Sequence, residues 1–272
     1  MSKKALFLFF IAAFAAILPS CKKEDNTTEP PASKTYILVH GAWHGKWSWT
    51  KIQAELEARG HKTIAIDLPG HGEDTTPLQE VTMESYVKKV GEVLQAQSGK
   101  VVLVGHSMGG LVISQVAEQY SDHIESLMYI AAFLPQNGEF LLSIEGRNPK
   151  PTVPPALIPS ADQVYLDLDT TKITELFYQD CSAADIAFAK ARLNSQPAAP
   201  LLTPVQITAE KFGKLPRFYV ECTNDQAVNI ALQRDMHTAT PCKKVYTLAS
   251  GHSPFFSMPV QLADALEDAI RQ

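Results

Sequence analysis

The stretch VVLVGHSMGGLV, residues 101–112, places one serine between two glycines where an apolar run changes into a segment with helical spacing. The pattern Gly105-His106-Ser107-Met108-Gly109 in this context is typical of a sharp strand-to-helix turn that holds the serine hydroxyl exposed. Glycines flank the serine because side chains there would collide with neighbouring backbone. A helix start also brings backbone N–H groups to the place where negative charge would develop. A structural turn is the alternative, but the flanking strand and helix favour a nucleophile.

Apolar strands alternate with helical segments on both sides of this turn. Continuous apolar runs predict buried strands, and apolar spacings of three and four predict helices. The predicted strands lie at residues 35–40, 100–105, 124–133, 217–222 and 243–249, and residues 63–72 are predicted as a strand that runs into a Pro/Gly turn. The predicted helices lie at 47–60, 83–97, 110–120, 226–239 and 259–272. All-apolar strands separated by helices indicate an α/β fold, in which a mostly parallel sheet carries helices on both faces.

The alternation breaks between residues 134 and about 212. This part contains the proline-rich stretch RNPKPTVPPALIPS, residues 147–160, and two helical segments. A structureless loop of such length is uncommon in a compact domain. We therefore expect an inserted, mainly helical cap within one domain of residues 35–272.

The N-terminal segment MSKKALFLFFIAAFAAILPSC has a basic start, an apolar run and a small-residue end. This composition predicts a signal peptide over residues 1–20. The apolar run of about 14 residues is shorter than the roughly 20 that a membrane-spanning helix needs. The end of the segment resembles a bacterial lipobox, which predicts lipidation at Cys21. An ordinary signal peptide that leaves Cys21 as a thiol is the alternative.

The polar residues that follow, 21–34, predict a flexible linker because they cannot bury enough apolar surface to fold. The protein is therefore expected outside the cytoplasm, as a lipoprotein anchored to a membrane at its periplasmic or cell-surface face. The formal net charge of −5 offers no basic field for a nucleic acid, so such a partner is not expected. Oligomeric state remains open.

Three further cysteines, at positions 181, 222 and 242, allow at most one disulfide, and none is predicted. No CxxC or paired Cys/His spacing indicates a metal site.

A serine hydroxyl needs a histidine base and an acid that orients the imidazole. In this architecture the expected chain order is serine, acid, histidine. His252 follows the last predicted strand, and Asp225 follows the strand before it. Glu221 and Asp235 are alternative acids, but the first falls within a predicted strand and the second within a helix. Asp225 is therefore preferred.

An oxyanion hole for the reaction needs two N–H donors. One is expected from Met108, directly after the serine, and the other from Ala42 in the loop after the first strand. That loop, HGAWHGKW, occupies residues 40–47. Trp47 and Trp49 are expected to pack beneath the helix that follows.

Five segments together carry a family resemblance: HGAWHGKWSW, GHSMGG, YQDCSAADIAFAKARL, FYVECTND and GHSPFFSMP. They resemble the plant methylesterase and hydroxynitrile lyase group of α/β-hydrolases, and bacterial pyrethroid-type carboxylesterases. The resemblance implies a triad of Ser107, Asp225 and His252, with Ala42 and Met108 as oxyanion donors. It also implies that Cys181 and Cys222 are family-typical positions rather than disulfide partners.

The lyases of this group resemble one another at two positions. They have a threonine after the histidine that ends the first strand, and a lysine after the catalytic histidine. Gly41 and Ser253 stand there in this sequence. Without a cation to stabilise leaving cyanide, an esterase is favoured.

The expected function is a serine carboxylesterase that needs no cofactor or metal and hydrolyses small uncharged esters with an apolar or aromatic part. A hydroxynitrile lyase-like enzyme that cleaves a C–C bond, and a ligand-binding protein with little turnover, are the alternatives. The residues expected to line the substrate pocket are Phe133, Leu134, Phe177, Tyr178, Phe255 and Met258.

Overall fold

Six parallel strands form the central sheet of the protein. The computed structural model describes residues 33–271. In chain order the six strands are β1 (Thr35–Val39), β2 (Lys62–Ile66), β3 (Val101–His106), β4 (Ile124–Ile130), β8 (Arg217–Cys222) and β9 (Lys244–Leu248). Their order across the sheet is β2-β1-β3-β4-β8-β9. The predicted α/β fold is thus confirmed.

Helices cover the sheet and account for the apolar character of its strands. The longer ones are α1 (Thr50–Ala58), α2 (Met83–Gln95), α3 (Gly109–Tyr120), α8 (Ile230–Ala239) and α10 (Pro259–Ala269). Every side chain of β3 is buried, as expected for a strand with packed neighbours on both faces. The helix α2 begins with a capping box, in which Thr82 and Ser85 satisfy each other's backbone N–H groups.

The strand order places the loops that follow the strands at one edge of the sheet. The connection after β1 runs to β2 on one side, and the connection after β3 runs to β4 on the other, so a switch point lies between β1 and β3. Loops at the carboxyl ends of strands next to such a switch point form a crevice where ligands bind. The loops after β1, β3, β8 and β9 carry the oxyanion donors and the triad predicted from the sequence, namely Ala42, Ser107, Met108, Asp225 and His252.

Several predicted elements are shorter in the structure. In the segment 63–72, predicted as a strand that runs into a Pro/Gly turn, the strand ends at Ile66, and the turn contains Pro69 and places Gly70 at φ +75°. The helix predicted over 226–239 begins at Ile230, where the Asn229 side chain accepts a hydrogen bond from the Ala231 N–H.

The segment between β4 and β8 contains short helices and also a small sheet that was not predicted. The helices are α4 (Leu141–Glu145), α5 (Ile173–Phe177), α6 (Ala183–Lys190) and α7 (Ala199–Leu202), and the antiparallel strands are β5 (Leu157–Pro159), β6 (Tyr165–Leu168) and β7 (Gln196–Pro197). A short helix α9 (Pro254–Ser257) follows β9. We refer to residues 131–216 as the insertion. Its strands are two to four residues long, too short for a period-two pattern to stand out in the sequence.

The predicted signal peptide, the lipidation site Cys21 and most of the predicted linker lie outside the residues that the structure describes. Within residues 33–271, none of the helices has the length and apolar character required to cross a bilayer.

Candidate active site

The serine at the end of β3 lies on a turn with an uncommon backbone conformation. Ser107 has φ +53°, in the left-handed region that residues other than glycine rarely adopt. Its N–H donates to the carbonyl oxygen of Ile130 (3.3 Å), and its own carbonyl oxygen accepts from the N–H groups of Gly110 and Phe133 (3.0 Å each). These contacts with neighbouring elements hold the strained turn in place.

The Ser107 hydroxyl is not used by the fold. Within residues 33–271 it makes no hydrogen bond, and the residue lines a pocket. It is therefore available to a ligand. Hydrogen bonds between catalytic groups are often long in ligand-free enzymes and shorten when substrate binds.

Glycines are required around this turn because backbone atoms approach them closely. A Cβ atom on Gly105 would lie 2.7 Å from the carbonyl oxygen of Gly109, and one on Gly109 would lie 2.7 Å from that of Val39. A Cβ atom on Gly110 would collide with the carbonyl oxygen of Phe133. All three contacts are with backbone, which cannot move aside as a flexible side chain can. The close approach of the start of α3 to β3, to the end of β1 and to the segment after β4 thus depends on these glycines.

His252 and Asp225, on the loops after β9 and β8, are in direct contact. The Nδ1 atom of His252 lies 2.8 Å from Oδ2 of Asp225, and both residues are buried. A carboxylate can only accept a hydrogen bond, so the proton is on Nδ1, and Nε2 of the neutral ring carries none. An imidazole held in this tautomer can take up a proton at Nε2.

The Asp225 carboxylate has four hydrogen-bond donors. Its Oδ1 accepts from the backbone N–H groups of Ala227 (2.7 Å) and Val228 (2.9 Å), and Oδ2 also accepts from the Gln233 side-chain amide (3.1 Å). Sequence reasoning did not select Gln233, which is completely buried on α8. Its available signal was a polar side chain between Ile230 and Met236, the apolar residues three positions before and after it on the helix.

The two alternative acids lie elsewhere. Glu221 binds the Arg234 guanidinium (2.9 Å), which holds the pKa of that carboxyl well below its usual range, at about 2. Asp235 is exposed and pairs with Arg147 (3.0 Å). Neither carboxylate contacts His252.

Two further side chains hold the loop that carries His252. The buried His106 donates from Nε2 to the carbonyl oxygen of His252 (2.9 Å), and burial lowers the pKa of His106 well below its usual value. Asp180, from the insertion, accepts from the Gly251 N–H (2.7 Å) and the Ser250 hydroxyl (3.2 Å). Sequence reasoning did not select either contact, because each joins distant parts of the chain.

The peptide group between Gly41 and Ala42 is oriented by donors on its carbonyl oxygen. That oxygen accepts from Nδ1 of His40 (2.8 Å) and from the N–H of His44 (3.3 Å). In a trans peptide the N–H points away from the carbonyl group, so the Ala42 N–H faces the opposite side, and Ala42 lines the pocket with Ser107.

The N–H of Met108 follows the serine directly. In the part of the chain that is described, neither this N–H nor that of Ala42 donates to another protein group. Both donors selected from the sequence are therefore free to bind an anion beside the serine.

His44 stabilises the loop after β1, and both of its ring nitrogens form hydrogen bonds. Its Nδ1 donates to the carbonyl oxygen of Ala42 (2.7 Å), and its Nε2 accepts from the Tyr178 hydroxyl (2.7 Å). Burial lowers the pKa of His44 to about 4, so the ring is neutral and structural. Trp47 stacks on this ring, and Trp49 is completely buried, as expected for packing residues.

A pocket with an almost entirely apolar lining opens beside Ser107. The residues that line it are Ala42, Trp43, Ser107, Phe133, Leu141, Leu142, Glu145, Val153, Pro154, Leu157, Phe177, Leu201, Ala227 and Val228. Two of the six residues selected from the sequence as pocket residues lie in this lining, Phe133 and Phe177. The other four lie outside it and are Leu134, Tyr178, Phe255 and Met258. Tyr178 is instead bound to His44, and Phe255 packs against Trp49.

The three cysteines of the described region are free thiols. Burial raises the pKa of Cys181 and of Cys242 to about 12 and that of Cys222 well above its usual value. A thiol that stays protonated is a poor nucleophile, so these residues do not compete with Ser107.

Comparison with known proteins places the chain among characterised relatives. Residues 36–265 match the model of the alpha/beta hydrolase family. The sequence is 32% identical over 252 residues to putative methylesterase 11, chloroplastic, of Arabidopsis thaliana, covering 87% of this chain and 64% of that protein. It is 32% identical over 241 residues to the pyrethroid hydrolase of Sphingobium wenxiniae, covering 85% of this chain and 86% of that protein.

Among solved structures, a pyrethroid hydrolase from Sphingobium faniae JZ-2 superposes with a TM-score of 0.77 at 30% sequence identity. The superposition covers 87% of this chain and 96% of that one. The resemblance stated from the sequence motifs is confirmed.

The predicted location, an exported lipoprotein held at a membrane through Cys21, is wrong. The relatives are plant methylesterases, several of them named chloroplastic, and a bacterial pyrethroid hydrolase, and these names give no support to a lipid anchor. The prediction depended on the composition of the N-terminal segment, on a lipobox resemblance at its end and on the polar residues that follow, and targeting segments of different destinations share much of that composition. The composition of an N-terminal segment therefore does not identify where a protein is sent.

Proposed function

This chain belongs to the alpha/beta hydrolase family and is a carboxylic ester hydrolase, and we propose that Ser107, His252 and Asp225 form its catalytic triad. The observation that carries the proposal is the buried contact between His252 and Asp225 at the same sheet edge as the strained turn of Ser107. This contact orients an unprotonated Nε2, which a serine hydroxyl needs for activation.

In the first half of the reaction, Oγ of Ser107 attacks the carbonyl carbon of the ester. Nε2 of His252 takes the hydroxyl proton and returns it to the alcohol as the C–O bond to the alcohol breaks. The Asp225 carboxylate stabilises the imidazolium that exists between these two transfers. Because Asp225 is held by two backbone N–H groups and an amide, the pair keeps its geometry throughout.

The tetrahedral intermediate carries its negative charge on the former carbonyl oxygen. The N–H groups of Ala42 and Met108 donate to this oxygen. Water then attacks the acyl-enzyme, again with His252 as base, and releases the acid and the free serine. No cofactor takes part in these steps.

The proposed substrates are small uncharged esters with an apolar or aromatic part. The pocket supports this class, because its lining contains three aromatic side chains, Trp43, Phe133 and Phe177, and several aliphatic ones. Apolar lining binds such groups by removing their surface from water.

A hydroxynitrile lyase has less support. A Cβ atom on Gly41 would lie 2.8 Å from Cβ of Ser107 and 2.9 Å from Nδ1 of His106, so the threonine of the lyases does not fit this loop as it stands. Ser253 provides a buried hydroxyl in place of their lysine, and a hydroxyl carries no charge to stabilise cyanide.

The test uses the full chain and hydrolysis of p-nitrophenyl butyrate. We expect Ser107→Ala to lower kcat by about a million-fold, the loss found when a triad serine is removed. Ser98→Ala is the matched control, since Ser98 is exposed in the turn before β3 and should retain wild-type turnover. Equal rates for the wild-type chain and Ser107→Ala would reject the proposed triad and leave a ligand-binding role.

A further inference from the structure

One carboxyl group lies in the otherwise apolar lining of the pocket. Glu145, the last residue of α4, is only 7% exposed and lines the pocket with Ser107. Its Oε1 accepts from the side-chain amide of Asn148 (2.8 Å). Within residues 33–271, its Oε2 has no hydrogen-bond partner. One oxygen of this buried acid is therefore available to a ligand.

The surroundings of Glu145 do not neutralise its charge. Arg147, two residues later, binds Glu139 and Asp235 instead. Burial raises the pKa of Glu145 to about 7, against the effect of the Asn148 hydrogen bond, and the like charge of Asp225 adds to this rise. A carboxyl group removed from water without a full set of partners is costly.

We propose that Glu145 is a specificity-determining residue, which selects esters whose pocket-bound part carries a hydroxyl group and rejects esters that carry a carboxylate there. The inference rests on the proposed esterase function. A substrate hydroxyl donates to Oε2 and satisfies the one unpartnered oxygen of the group. An unsubstituted substrate leaves that oxygen without a partner, and a substrate carboxylate adds a third acid to the pair of Glu145 and Asp225.

Substrates for the test are methyl esters, because a methyl alcohol part is too small to fill the pocket and leaves the acid part to occupy it. Methyl phenylacetate is compared with its 3-hydroxy, 4-hydroxy and 4-carboxy derivatives. The measured quantity is the ratio of kcat/KM for each derivative to that for the unsubstituted ester. A ratio removes any general effect of a variant on turnover.

Two variants separate hydrogen bonding from charge. We expect the wild-type chain to prefer one of the hydroxy esters by about tenfold, the value of a hydrogen bond to a charged or polar group. Glu145→Leu removes the acceptor, so this ratio should fall to about one. Glu145→Gln removes the charge. Its amide oxygen stays with the donor Asn148, so its NH2 group faces the pocket and a substrate hydroxyl can accept from it. The hydroxyl preference should therefore remain while discrimination against the carboxy ester falls by about tenfold.

Glu139→Gln is the matched control, since Glu139 is bound to Arg147 and lies outside the pocket lining, and its ratios should equal those of the wild-type chain. Ratios unchanged in both Glu145 variants would overturn the inference while leaving the esterase proposal intact. If Glu145→Leu does not fold, the ratio for the carboxy ester in Glu145→Gln decides the matter. Methyl ester hydrolysis that is equal in Ser107→Ala and the wild-type chain would overturn both proposals.

Discussion

The loops at the carboxyl edge of the sheet and the insertion contribute to the same pocket but are built differently. At the sheet edge, Ser107 follows the fully buried strand β3 and His252 follows the outermost strand β9. Backbone hydrogen bonds hold the turn of Ser107, and the buried His106 holds the loop of His252. The insertion consists of helices of four to eight residues and strands of two to four. It supplies most of the pocket lining and has exposed apolar side chains, among them Ile158 and Leu202.

This difference separates reactivity from selectivity. Groups that move protons must be held to a fraction of an ångström, which a rigid sheet edge provides. A pocket wall has to match a substrate, and short elements can vary in sequence without disturbing the sheet. We therefore expect substitutions at the sheet edge to abolish turnover or folding, and substitutions in the insertion to alter preference and pH dependence.

The largest effect is expected from Asp225→Asn. An amide in place of the carboxylate favours the wrong tautomer of His252, and kcat should fall by about ten-thousand-fold, as in other triads. Hydrolysis of p-nitrophenyl butyrate measures this loss. Asp235→Asn is the control, because it alters an exposed acid and should show wild-type turnover. A mild loss at Asp225 with a severe one at Glu221 would show that the sheet edge uses a different acid.

A second test addresses the rigidity of the sheet edge. Gly110→Ala would place a Cβ atom against the carbonyl oxygen of Phe133, and we expect a loss of about 3 kcal/mol in the free energy of unfolding, typical of overpacked positions. Urea denaturation followed by circular dichroism measures it. Gly99→Ala, where a Cβ atom would meet open space, is the control. Equal stability of the two variants would mean that α3 can shift away from Phe133.

The third test addresses the insertion through the pH dependence of stability. The pKa of Glu145 is raised to about 7 in the folded chain from an ordinary value of 4.5. The acid therefore contributes stability below pH 4.5, and this contribution is lost as the pH rises through 7. Glu145→Gln does not titrate, so its stability relative to the wild-type chain should rise between pH 5 and pH 8.

The gain expected for Glu145→Gln is on the order of 3 kcal/mol at most, since one pKa unit corresponds to about 1.4 kcal/mol. Thermal unfolding at both pH values measures it, with Glu139→Gln as the control. A difference between variant and wild type that does not change with pH would show that Glu145 is solvated in the folded chain. The insertion would then resemble an ordinary surface more than a pocket wall.

Much of the sheet edge was predictable because its signals are local. The all-apolar strand before Gly105 and the helical spacing after Gly109 predicted a turn that the structure shows with φ +53° at Ser107. The positions of Asp225 and His252, each after a predicted strand, indicated that they would share an edge, and they lie 2.8 Å apart. Their catalytic roles remain predictions.

The sequence did not indicate the contacts that complete the site. Gln233 reaches Asp225 from the next helix, and Asp180 reaches Gly251 across 71 positions. Nor did the sequence distinguish Phe177, which lines the pocket, from Tyr178, which does not. These outcomes depend on how the insertion packs, and packing joins residues that have no fixed spacing.

By itself, the sequence determined the fold class, the strand-to-helix turn at Ser107 and the loops that carry the acid and the base. Such features follow from steric limits on neighbouring residues and from the periodic burial of apolar side chains, both of which act over a few positions. Only the tertiary structure decided that Glu145 faces the pocket, and that its Oε2 has no hydrogen-bond partner among the described residues. Which groups a buried side chain meets depends on long-range packing, and the same packing determines whether its polar atoms are satisfied.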